Sequence, residues 1–147
     1  MSFEYSLQKV MDVKEQEKFQ SQLYYKEAIG QFEQVATKLY HSLKRKESLE
    51  AKAREQITAG VTIFELQQHQ SELLRLQQEI NQLQRQTQQA REQMNIRQRD
   101  LVDKSVEAKK FEKMKQLGRE EFEQEQHRLE TNEMDELSVQ LYGKQWN

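Results

Sequence analysis

The chain has 147 residues, with no proline, no cysteine and four glycines, and carries 23 basic against 25 acidic residues. Only 35% of residues are hydrophobic and 33% are charged, too lean a mix for a thick globular core. This excludes thiolate or disulfide chemistry and leaves no surplus of Lys and Arg to capture nucleic acid. No apolar run is long enough to cross a bilayer and no signal peptide is recognisable. We therefore expect no direct membrane insertion and a cytoplasmic protein.

Without proline, little interrupts a helix. The first helical pattern spans about residues 3–58. Between residues 25 and 57 its apolar seam reads Tyr25, Ile29, Phe32, Ala36, Leu39, Leu43, Lys46, Glu50, Ala53 and Ile57. Upstream, Phe3, Leu7, Val10, Met11, Phe19 and Leu23 do not share that register, which predicts a stutter between residues 11 and 25. Gly30, inside this helix, costs about 1 kcal/mol relative to alanine.

Residues 59–62 form the expected turn. Gly60 suits a left-handed helix end, and Thr62 followed by Glu65 is a capping box opening the second helix. Val61, Ile63, Phe64 and Leu66 crowd this turn, as either a hydrophobic staple or a contact surface.

The second helix is expected over about residues 63–141, with a frayed tail at 142–147. From 73 to 129 it repeats every seven residues. One line runs Leu73, Ile80, Thr87, Met94, Leu101, Ala108, Lys115, Phe122 and Leu129. The other runs Leu76, Leu83, Ala90, Arg97, Lys104, Phe111, Gly118 and Glu125. A strict seven-residue apolar repeat belongs to helices that wrap around one another.

Two such helices joined by so short a turn must run antiparallel. The predicted fold is a single all-α domain, a two-helix antiparallel coiled-coil hairpin whose second helix overhangs the first. If Ile57 faces Leu66, then Leu43 faces Ile80, Phe32 faces Ala90 and Met11 lies beside Phe111. Phe3 falls near Gly118. Residues 119–141 then extend without an intrachain partner, yet still carry Phe122, Leu129, Met134, Leu137 and Leu141. An unpaired apolar stripe on a polar helix marks a contact surface.

Charge is segregated along the second helix. Residues 97–119 are rich in Lys and Arg, and residues 120–136 hold eight acids against Arg128 alone. This is either a solvated face laced with helical ion pairs or a basic band and an acidic tip for different partners. The seam residues Lys46, Glu50 and Arg97 are either snorkelling side chains that fix register or the mark of a locally weak, bendable segment. The glutamine-rich stretch 67–98 keeps its apolar spacing and is a coiled-coil flank. His41, His69 and His127 lack metal-ligand spacing and are expected to be exposed. No catalytic constellation, cofactor site or metal site is recognisable, and an enzyme is not expected.

In length and layout the chain resembles the flagellar FliJ family, components of the flagellar type III export apparatus. The resemblance rests on the opening Phe3-Glu4-Tyr5-Ser6-Leu7-Gln8-Lys9-Val10-Met11 with Lys14-Glu15, and on the turn Gly60-Val61-Thr62 followed by Leu73, Leu76 and Ile80. The late acidic segment Glu133-Met134-Asp135-Glu136-Leu137 also contributes. It implies a non-catalytic stalk or adaptor, similar to the rotor stalk of rotary ATPases, peripheral to the membrane export apparatus. The implied partners are the flagellar export ATPase ring, the cytoplasmic domain of the export gate, and export chaperones. The resemblance places the gate contact near Leu73, Leu76, Glu79 and Leu83, although Glu72 and Glu79 are polar where apolar residues would be expected. It places the contact with the ATPase ring, or another partner, at the unpaired ends, here Phe3, Leu7, Phe122, Leu129, Met134 and Leu137. The alternatives are a general coiled-coil scaffold or a holdase-type chaperone.

Overall fold

The computed structural model describes residues 2–146 and is built of two α-helices, α1 (Gln8–Ala59) and α2 (Ile63–Trp146). No strand occurs among the described residues. Contacts group the chain into two compact units, each taking a stretch of both helices. Unit 1 comprises Met1–Lys18 and Asp103–Asn147, and unit 2 comprises Phe19–Val102. In each, the α1 stretch packs antiparallel to the α2 stretch, as the all-α coiled-coil hairpin requires.

The turn follows its sequence chemistry. Gly60 has φ of 94°, a conformation that costs a side-chain-bearing residue free energy. The Glu65 amide donates to Thr62 Oγ1 at 3.3 Å and the Leu66 amide to the Thr62 carbonyl at 3.1 Å, so Thr62 caps α2.

The helix ends differ from the sequence pattern. α1 begins at Gln8, not near residue 3. Residues 3, 5 and 7 are partly buried while 2, 4 and 6 are exposed. Over residues 2–5 that alternation has the period of extended chain, and a turn at residues 6 and 7, with the Gln8 amide donating to the Tyr5 carbonyl at 3.0 Å, leads into α1. α2 continues to Trp146 through most of the expected frayed tail. Gly143 alone does not stop it, and Lys144 in its last turn complements the helix dipole. Asn147 lies outside the described residues.

Unit 2 holds the larger apolar core. Leu76, Ile80 and Leu83 of α2 are buried, Ile80 to 1% exposure, as are the small α1 residues Ser21, Ala28 and Ser42. Ser21 and Ala28 lie farther along the seam, beside Asp100 and beside Gln93 and Arg97. This corrects part of the expected α1 seam. Tyr25, Ile29, Phe32, Ala36, Leu39, Lys46 and Ala53 are partly buried as expected, and Ala28, Val35, Ser42, Leu49 and Gln56 also line the seam. Leu43, Glu50 and Ile57 are exposed, while Ser42, next to Leu43, is buried. Matching apolar residues picks the wrong neighbour wherever the seam residue is serine or glutamine.

The predicted stutter is also absent. Burial in α1 keeps one heptad register through Met11, Lys14, Lys18, Ser21 and Tyr25. The seam is polar there, which hides it from a search for hydrophobic spacing.

Polar contacts fix the register within unit 2. Ser21 Oγ donates to Asp100 Oδ2 at 2.8 Å and Lys46 Nζ to Gln77 Oε1 at 2.7 Å. The Arg97 guanidinium lies 4.8 Å from the Tyr24 ring centre, and that of Arg91 5.6 Å from Phe32, distances at which cation–π attraction operates. Lys46 and Arg97 therefore act as snorkelling side chains, with stems in the seam and charged ends on partners. Phe32 meets α2 at Arg91, one residue from the Ala90 expected opposite it.

Candidate interaction surfaces

Unit 1 closes its paired stretch with a strap. Phe3 packs on Phe122, ring centres 5.7 Å apart, and the Arg119 guanidinium lies 5.9 Å from the Phe3 ring centre. Gly118 makes room for this ring. A Cβ built there would lie 3.4 Å from Phe3 Cζ, the near limit of ordinary contact. Tyr5 donates its hydroxyl proton to the Phe111 carbonyl at 3.3 Å. Phe122 is therefore not unpaired, as the sequence pattern suggested, but holds the strap.

The rest of the unit 1 seam is largely ionic. Lys14 pairs with Glu107 at 2.9 Å, and Glu17 with Lys104 at 3.5 Å and Lys14 at 3.6 Å. The hydrogen bond to Glu107 raises the Lys14 pKa above its ordinary value, and the same bond lowers that of Glu107. Glu15 behaves oppositely. Its carboxyl shares a hydrogen bond with that of Glu112, which, with burial and the Glu112 charge, raises its pKa. Among the described residues of this unit, only Ala108 is fully buried.

Beyond Phe122 and the half-buried Gln126, α2 of unit 1 is exposed all round as far as Lys144. Leu129, Met134, Leu137, Val139 and Leu141 lie on this stretch, with Met134 64% exposed. Arg128 binds Glu125 through two hydrogen bonds, at 2.6 and 3.2 Å, and Glu120, Glu121, Glu123 and Glu130 are exposed around them. Of the residues expected at the unpaired ends, Leu129, Met134 and Leu137 stand free, Leu7 is half-buried, and Phe3 and Phe122 occupy each other.

The expected gate residues divide as well. Leu76 and Leu83 are buried in the unit 2 seam, Leu73 lies at its edge, and Glu79 points outward. The turn divides in the same way. Val61 and Leu66 join Ala53, Ile57, His69 and Leu73 around a recess of about 180 Å³. Ile63 and Phe64 are strongly exposed. Val61 and Leu66 thus close the turn as a staple does, while Ile63 and Phe64 stay outside it.

His69 was missed by the sequence reading. It is half-buried, its Nε2 is hydrogen-bonded to Gln56 Oε1, and its Nδ1 is buried without a partner. Stepping the α2 repeat back seven residues from Leu76 lands on it. His41 and His127 are exposed.

The sequence is similar to that of known proteins. Residues 3–146 match the family model described as Flagellar FliJ protein. The chain belongs to the FliJ family. A Flagellar FliJ protein of Bacillus subtilis (strain 168) is 34% identical to it over 142 residues, covering 97% of each chain. No solved structure matches. FliJ membership makes the protein a component of the flagellar export apparatus. No helix among the described residues of this FliJ chain is long and apolar enough to cross a membrane.

Proposed function

We propose that this FliJ-family protein is a non-catalytic stalk and adaptor, cytoplasmic and peripheral to the membrane export apparatus. It links the export ATPase ring to the cytoplasmic domain of the export gate and handles export chaperones. The observation that carries this reading is the run of α2 beyond Phe122, where Leu129, Met134 and Leu137 remain exposed with no α1 segment against them. Apolar side chains on an otherwise charged helix favour burial against another protein. We assign this stretch, together with the strap at Phe3 and Leu7, to the ATPase ring. The gate contact falls on the outward face of the 73–83 segment, at Glu79 and the edge residue Leu73, because the seam occupies Leu76 and Leu83.

A pull-down of the full chain against the export ATPase and, separately, the gate's cytoplasmic domain tests the assignment. Leu129→Ala with Leu137→Ala should weaken ATPase capture and spare the gate, whereas Glu79→Arg should do the reverse. Failure to capture either protein would refute the stalk and adaptor role.

A further inference from the structure

The exposed face of α2 in unit 1 has an order that neither helix pairing nor the export role requires. Taking the residues that point away from the seam, at alternating steps of three and four, this face runs Val106, Lys109, Lys113, Gln116, Glu120, Glu123, His127, Glu130, Met134 and Leu137. All are exposed, Val106 to 50% and Leu137 to 53%. The sequence is apolar, basic, acidic, apolar. Turned end for end and laid on itself, it is complementary.

We propose that two copies of this chain pair side by side and antiparallel through this face. With the two-fold axis between residues 121 and 122, Val106 meets Leu137 of the second copy and Lys113 meets Glu130. Lys109 lies beside Met134, with Glu130 and Glu133 in reach of its ammonium group. Each contact occurs twice, as an isologous interface demands. Glu120 against Glu123 is the one like-charge layer, and Arg119 adjoins it.

Charge complementarity singles out a second copy as the occupant. Lys113, Glu120 and Glu130 have no opposite charge three or four residues away along α2, and none forms an ion pair among the described residues. Lys109 and Lys113 are instead like charges four residues apart, a spacing that weakens an isolated helix. The antiparallel partner brings acids to these lysines and apolar groups to both ends. A parallel partner would set Lys113 on Lys113 and Glu130 on Glu130, which is repulsive. The pairing shares Met134 and Leu137 with the stretch assigned to the ATPase ring, and it is measurable without any export protein.

Sedimentation of the purified full chain over a concentration series, at about 50 mM and about 500 mM salt, tests it. We expect a monomer–dimer equilibrium that weakens at high salt. Lys113→Glu or Glu130→Lys alone should weaken dimerisation by about tenfold, since each adds two repulsive pairs per dimer. Combining both substitutions in one chain should restore it. The chain has no cysteine, so cross-linking reads orientation directly. A mixture of Val106→Cys and Leu137→Cys proteins should form mixed disulfides, and Val106→Cys alone should not link to itself. A monomer at every concentration, failure of the double reversal to restore pairing, or self-linking through position 106 would each overturn the proposal.

Discussion

The two units use the same seven-residue repeat and fill it with different chemistry. Unit 2 buries Leu76, Ile80 and Leu83 of α2 together with Ser21, Ala28 and Ser42 of α1. Unit 1 sets Lys14, Glu15 and Glu17 against Glu107, Glu112 and Lys104, around Ala108. Apolar burial contributes about 25 cal/mol for each Å² removed from water, whereas exposed ion pairs contribute little and are screened by salt. Heptad spacing thus establishes that helices pair, while the residues at the seam decide how firmly.

Ile80→Ala should give the largest effect, because it empties the most buried large side chain in unit 2. The expected loss is about 3 kcal/mol, read as a fall in the thermal midpoint by circular dichroism. An equal fall on emptying a unit 1 position would break the contrast between the units. Phe3→Ala removes the aromatic closure of unit 1 at an expected cost of about 1 to 2 kcal/mol. Its mark should be faster amide exchange in residues 8–18, with protection around Ile80 unchanged.

Gly30→Ala should raise stability by about 1 kcal/mol. Gly30 lies within α1, and nothing comes within 4 Å of a Cβ built there. Denaturant midpoints at constant slope would check this.

The smallest effect sharpens the ionic side of the comparison. A carboxyl whose pKa is raised on folding stabilises the fold when protonated, and that contribution is lost as pH rises through the raised pKa. Glu15 is such a group beside Glu112. Glu15→Gln should therefore stabilise unit 1 at neutral pH, by about 0.5 kcal/mol as for other like-charge pairs. The gain should vanish below the ordinary carboxylate range. Lys14 and Glu107 work in the opposite sense: their pair is lost as pH falls through the lowered Glu107 pKa or rises through the raised Lys14 pKa. Amide exchange in unit 1 across pH separates the two.

Legibility in the sequence followed the same division. The α2 seam was readable from Leu73 to Phe122, because apolar residues mark most of its positions. The α1 seam was readable at Tyr25, Phe32 and Leu39 but not at Ser21, Ser42 or Gln56, since a small or polar residue can line a two-helix seam without an apolar signal. Lys14 and Lys18 concealed the continuous register for the same reason. The turn at Gly60 and Thr62 was legible because its chemistry is local. The strap was not read, although Phe3, Tyr5 and Leu7 alternate with Glu4 and Ser6, a two-residue period that no helix uses. The free run of α2 was anticipated at Leu129, Met134 and Leu137 but placed too early at Phe122, whose partner, Phe3, comes from the other end of the chain.

The seat of Phe3 at Gly118 makes side-chain volume at one position a graded control. Alanine at 118 would just touch the ring, valine would crowd it, and leucine would expel it, leaving the Ile80 layer as it was. A series at this residue would yield proteins differing only in how firmly the strap is held. Such a set would show whether flagellar export depends on that strap being closed, open or free to alternate.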